Sequence, residues 1–307
     1  MKLIMVEGIP GSGKSSTARF IALQLERNGY PVELYHESTV PHPILLDEDL
    51  YDLDRWLAAY RSKWNSFLAA NAAKESVIVM ESVLFQAPII QMLHMDIDST
   101  VIIRFIEELM VTLSRFDCGF VYLYQKDPSV GINRMLTDRG GESWLRNTYD
   151  KFKHLPYYKN RNHTGKELHL QFLHEYSQIA QQIFNKMKLK SMGVDNTNWD
   201  WDQDYRTIMD FLGCTIYPDP ELSKEELEKF SGSYQNDELG ITFHIQLRGE
   251  DLYIFDHYKL KPRGENTFYL SNISMSLAFI GLDEVMVYEK DIVGNRNDLG
   301  TVFVRIT

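Results

Sequence analysis

The chain has 307 residues, two cysteines and a formal net charge of −11. That acidity argues against a nucleic-acid binder, whose footprint is a basic patch or stripe. No run approaches the ~18 consecutive apolar residues of a membrane span. An apolar content of 44% suffices for one large domain, or a medium one with a small one. With no CxxC pair and no leader pattern, Cys118 and Cys214 read as reduced thiols of a cytoplasmic protein.

The chain opens on a short apolar strand, Leu3 to Val6, interrupted by Glu7. Gly8-Ile-Pro-Gly11-Ser12-Gly13-Lys14-Ser15 follows and matches G-x-x-x-x-G-K-[ST] without a gap. Glycines at these places let backbone N–H groups turn inward and cradle phosphate oxygens. Lys14 is placed to reach the β- and γ-phosphates, and the Ser15 hydroxyl to ligate Mg²⁺. From Ser16 the spacing of Phe20, Leu23 and Leu25 is helical, which sets the loop at a helix N-terminus. Strand, loop and helix come in the order a nucleoside triphosphate site needs.

Val32 to His36 reads as a second strand ending at Glu37, Tyr51 to Ala73 as a long helix, and Ser76 to Met80 as a third strand ending at Glu81. This third strand is apolar on both faces, as in the centre of a parallel sheet. Helices are expected over Phe85 to Met95 and Ser99 to Arg115, and a strand over Gly119 to Tyr124. A helix carrying Arg134 then leads to a glycine loop around Arg139. Trp144 to Tyr158 and Lys166 to Lys188 read as helices, Leu189 to Val194 as a strand, and Asp202 to Leu212 as a helix. Alternating strands and helices predict an α/β doubly wound parallel sheet, residues 1–217. Beyond the linker at Pro218-Asp-Pro220, short strand-like runs predict a small antiparallel β-barrel or half-barrel over 223–307.

Phosphoryl transfer leaves protein little covalent work, so cations must gather around the moving charge. Arg134 and Arg139, on a helix and a glycine loop, suit a closing lid. Glu37 and Glu81 end strands on the side where ligands bind in open parallel sheets. Each could take an acceptor proton or hold a metal-bound water, and the sequence does not separate base from metal role. The acids Asp47, Glu48, Asp49, Asp52 and Asp54 lean toward an uncharged or cationic acceptor, or simply start a helix. His154, His163, His169 and His174 lack a shared helical face and read as surface. The glycosylation-like patterns at Asn162 and Asn272 carry no weight in a cytoplasmic chain.

On these residues, the region to about 212 resembles the nucleoside/thymidylate kinase branch of the P-loop kinases. The segment "DPSVGINRMLTDRG" is similar to the run from the fourth strand into the arginine-bearing lid of that family. The resemblance implies Glu37 as acceptor-side base, Glu81 as base or metal-side acid, Arg134 and Arg139 in the lid, and Asp195-Asn196-Thr197 near the adenine. Two departures stand out: Ser82, not arginine, follows Glu81, and His36-Glu37-Ser38 replaces a Glu-Pro pair. The C-terminal part loosely resembles small lipocalin-like β domains. The expectation is an ATP- and Mg²⁺-dependent phosphotransferase acting on a hydroxyl of a small, non-phosphorylated molecule, with a possible homodimer. The alternative is a nucleotide-dependent switch or binding protein with slow hydrolysis.

Overall fold

A computed structural model gives the fold and describes residues 2–39, 41–46, 51–161, 164–270, 275–288 and 300–306. Asp47, Glu48 and Asp49 of the acid run, His163, Asn162 and Asn272 lie outside these residues. Two compact units divide the chain, Met1–Thr215 and Ile216–Thr307. Among the described residues no helix is long and apolar enough to cross a membrane.

The first unit runs β1 (Lys2–Gly8), α1 (Lys14–Arg27), β2 (Val32–Tyr35), α2 (Leu53–Asn71), β3 (Val77–Glu81), α3 (Gln86–His94), α4 (Ser99–Leu113) and β4 (Asp117–Tyr124). It continues with α5 (Pro128–Asp138), α6 (Glu142–Phe152), α7 (Pro156–Lys159), α8 (Lys166–Phe184), β5 (Lys190–Asp195) and α9 (Trp201–Leu212). The strands form one parallel sheet in the order β2-β3-β1-β4-β5. With the glycine loop between β1 and α1, this is a parallel α/β fold of the P-loop type. Strands β1 and β3 are buried almost throughout because helices cover both faces.

Register decides what meets at the carboxyl ends. Val6 pairs with Glu81, and Tyr35 pairs with Met80. The residues that follow β1 and β2, and the last residue of β3, therefore emerge side by side. Helix starts are set by local chemistry. Asp52 accepts the Arg55 amide ahead of α2, Asp98 caps α4, and Asp127 accepts the Ser129 amide with Pro128 in the first turn of α5.

The single helix expected over Trp144 to Tyr158 is two helices. Leu155 is extended (ψ 154°) because the pyrrolidine of Pro156 disfavours helical backbone in the residue before it. His169 is not a surface residue but 3% exposed. Its Nδ1 meets the Tyr158 hydroxyl at 2.8 Å, and its ring stacks on Phe172, which also stacks on buried His94. Burial holds the His169 imidazole down at about 4, so it packs as a neutral aromatic ring.

The second unit begins with α10 (Lys224–Glu228), closed by a capping box between Ser223 and Glu226. It continues through β6 (Gly232–Asn236), β7 (Ile241–Arg248), β8 (Asp251–Ile254), β9 (Tyr258–Gly264), β10 (Thr267–Leu270), β11 (Ser276–Ile280), β12 (Glu284–Tyr288) and β13 (Thr301–Ile306). Each strand pairs antiparallel with the next, and β13 pairs with β6 to close the barrel. Phe230 meets Phe268 edge-on and Phe279 at a tilt, and Phe243 stacks on Tyr234 and meets Phe303 edge-on, so packed rings fill the interior. Strands β6 and β9 escape a hydrophobicity reading. Tyr234 and Leu260 are their only fully buried side chains, and Pro262 sits in β9 next to a bulge.

Candidate functional site: a phosphate loop with two carboxylates

The loop is shaped by close approaches. Gly11 and Gly13 have φ of 81° and 86°, in the left-handed region that favours glycine. A Cβ on Gly11 would stand 2.5 Å from Met135 of α5, and one on Gly13 would stand 2.3 Å from the Trp201 ring. Gly13 is also the N-cap of α1. The loop's carbonyls are held from outside: the Tyr176 hydroxyl donates to Gly8 O at 2.9 Å, and Asn196 Nδ2 donates to Ser12 O at 2.6 Å. Asn196 is in turn fixed by Gln125, whose Nε2 donates to its Oδ1.

Lys14 is buried and donates from Nζ to Ile9 O at 3.1 Å. Burial lowers its ammonium below the ordinary range, the carboxylates of Glu37, Glu81 and Glu7 oppose that, and Arg139 adds to the lowering. A cation held so tightly among acids, at the N-terminus of a helix, is suited to a polyanionic ligand. Ser15, the next residue, is exposed, and Ser16 lies in the first turn of α1.

Glu81 is 1% exposed. Its Oε1 accepts from His36 Nδ1 at 3.0 Å and from the Glu37 amide at 3.4 Å, while Oε2 is buried with no hydrogen-bond partner. Burial alone would raise this carboxyl. The hydrogen bond and charge of His36, the charge of Lys14 and the Ser15 hydroxyl beside it hold it below its usual range, so it is ionised. Glu37 is exposed instead, and Gln86 Nε2 donates to its Oε2 at 2.5 Å. Ser82, after Glu81, has φ 64°, a strained backbone for a residue with a side chain, and its buried hydroxyl has no partner.

A hard cation fits here. The Ser15 hydroxyl and the unpartnered Glu81 Oε2 are an oxygen-only donor pair, and Mg²⁺ takes one or two such ligands and completes its shell with phosphates and water.

On α5 and at its C-terminal end, the Arg134 guanidinium lies 4.7 Å over the Trp199 ring, and Arg139 lies 5.4 Å over Trp144. Arg134 Nη1 and Trp199 Nε1 are buried without partners. Asp195 and Thr197 are occupied with each other: the Thr197 hydroxyl donates to Asp195 Oδ1 at 2.5 Å, and Lys126 binds both, through Nζ to Asp195 Oδ2 at 3.2 Å and through its amide to Thr197 Oγ1 at 3.2 Å. They set the loop after β5, and Asn196 between them is the residue that touches the phosphate loop.

Sequence reading missed Glu7, His36, Gln86, Tyr176, Trp199 and Trp201, and it named Asn196 without its contact with the phosphate loop. Glu7 is fully buried and accepts the amides of Leu84 at 2.5 Å and Gln86 at 3.1 Å, tying β1 to the start of α3. Its one signal was an acid inside an apolar strand. His36 had a signal too, as the residue that replaces half of an expected Glu-Pro pair.

No protein-family model and no curated protein matches this sequence. Among solved structures, it is similar to a deoxyadenosine kinase from M. mycoides with bound dATP, at 20% identity and TM-score 0.41, covering 69% of this chain and 100% of that one. It is also similar to the YorR protein of Bacillus subtilis in complex with phosphorylated GDP, at 16% identity and TM-score 0.37, covering 69% and 96%. A thymidylate kinase from Ehrlichia chaffeensis matches at 12% identity and TM-score 0.40, covering 69% and 98%. At these scores the chemistry of the site is read from its own residues.

Proposed function

We propose that the first unit is an ATP- and Mg²⁺-dependent phosphotransferase that moves the γ-phosphate to a hydroxyl of a small, non-phosphorylated molecule. The observation that carries this is the convergence on Lys14 of two acids in different settings, Glu81 buried with a free oxygen and Glu37 exposed. A slow nucleotide switch needs no second carboxylate facing solvent.

In this reading Gly8, Gly11, Ser12, Gly13, Lys14, Ser15 and Ser16 hold the triphosphate through backbone N–H groups, the Lys14 ammonium and hydroxyls. Ser15 and Glu81 would hold Mg²⁺, which would supply neutralisation of the phosphate charge. Glu37 accepts the proton of the acceptor hydroxyl as that oxygen attacks phosphorus. Arg139 stabilises the transferred charge. Arg134, held over the Trp199 ring, shares that role, and Asp195 and Thr197, set in the loop after β5, lie toward the adenine. Ser82 in place of an arginine leaves the acceptor side without a cation at that position, which favours an uncharged acceptor such as a nucleoside-like metabolite or an antibiotic.

The test is γ-labelled ATP with Mg²⁺ and pooled nucleosides, aminoglycosides and peptide antibiotics, followed by cell extract, with Lys14→Ala as the blank. Label in a small organic product, absent from the blank, is the expected result. Label that appears only as slow phosphate, whatever the pool or extract, overturns the reading in favour of the switch.

A further inference from the structure

Two carboxylates stand at the same site, and each is held by a different partner. The Gln86 amide tethers Glu37 at an exposed position, and the His36 imidazole grips Glu81 inside the protein. We propose that His36 is a positioning residue that fixes Glu81 by one oxygen, so that the other is presented beside Ser15 as a metal ligand. The inference rests on the phosphotransferase reading of the site.

The geometry is one-sided. His36 Nδ1 and the Glu37 amide both reach Oε1, while Oε2 is buried on the side of the Ser15 hydroxyl, the other proposed metal ligand, and receives neither of them. An ionised carboxylate only accepts, so His36 Nδ1 carries the hydrogen and donates it. Its Nε2 is buried and has no partner, so the ring's one hydrogen bond is the one to Glu81. Strand register makes the contact: Tyr35 pairs with Met80, so the residue after β2 falls next to the last residue of β3. A partner that orients a ligating carboxylate governs metal affinity without touching the metal. It has no part in holding the nucleotide's phosphates, which fall to the loop and Lys14. Loss of His36 therefore separates two affinities that a general loss of structure would lower together.

The experiment follows Mn²⁺ by its paramagnetic resonance signal in the presence of β,γ-imido-ATP, and separately follows the nucleotide alone in chelator. His36→Leu is expected to weaken Mn²⁺ in the ternary complex by about 10- to 100-fold, with metal-free nucleotide affinity unchanged. His36→Asn, whose Nδ2 stands close to the place of Nδ1, is expected to keep Mn²⁺ affinity near wild type. His36→Gln, whose amide reaches further out, is expected to lose it. Equal Mn²⁺ affinity in wild type, Asn and Gln variants overturns the role of His36, and so does an equal loss in both, even if His36→Leu does not fold. A wild-type protein that binds no metal–nucleotide complex at all overturns the phosphotransferase reading itself, and the inference with it.

Discussion

At the residue scale, burial separates groups that share one chemistry. Glu37 and Glu81 are the same side chain, yet one faces solvent and the other sits 1% exposed between His36 and Lys14. Glu37→Gln is expected to lower turnover by about 10²- to 10⁴-fold with metal and nucleotide affinity intact, because only a proton acceptor is lost. Glu81→Gln should weaken the metal instead, and titrating Mg²⁺ against both variants checks the split. Glu7 is a third case. Burial pushes its carboxyl up from 4.5 to about 7, against the amides of Leu84, Gln86 and Phe85 and the charge of Lys14. The folded state therefore binds this proton more tightly than the unfolded chain does. That stability is full below the unfolded value, declines as pH rises, and is lost above about 7; by linkage it amounts to at most about 3 kcal/mol. Melting temperature should fall between about pH 5 and 8, and Glu7→Gln should flatten that slope.

At the element scale, the phosphate loop is a product of what packs on it. Helix α5 presses Met135 against Gly11, and α9 lays Trp201 against Gly13. The Trp201 ring continues a stack through Tyr205 to Phe20 on α1. Gly13→Ala must displace that ring and also adopt φ 86°, so a loss of about 2–4 kcal/mol is expected. Chemical denaturation measures it. The double variant with Trp201→Ala should recover the steric part and leave the backbone part, which tells the two causes apart.

At the scale of the whole molecule, two units each have a core of their own. The barrel closes through β13 and β6, and rings from Phe230 to Phe303 fill it. Arg305 knits its base by donating to Lys229 O and Leu282 O at 3.2 and 3.3 Å, and also to Ser231 O. Near the start of the second unit, Asp219 accepts from the Tyr269 hydroxyl at 3.0 Å. A closed barrel leaves no sheet edge, so residues 216–307 expressed alone should be monomeric. They should melt in one cooperative transition with a β-type circular dichroism spectrum, and a non-cooperative melt would mean the barrel depends on the rest of the chain.

The amino-acid order by itself determined the phosphate loop, the alternating strands and helices around it, and the change to β structure after Pro220. These are local signals: a motif bound to one backbone shape, and periodicities of two and 3.6. It also placed Glu37 and Glu81 at strand ends, because apolar runs stop where strands leave the core. It did not reveal β6 or β9, whose alternation is thin, or the break at Pro156, which a helical pattern runs straight through. Tertiary structure alone decided which acid is buried, since that follows from Tyr35 pairing with Met80 and Val6 with Glu81 across the sheet. It likewise brought His36 onto Glu81, Asn196 onto Ser12 and Trp201 onto Gly13, residues 45, 184 and 188 positions apart. Contacts at that separation leave no periodic trace in a chain, because each is set by strand order and register rather than by neighbours in sequence.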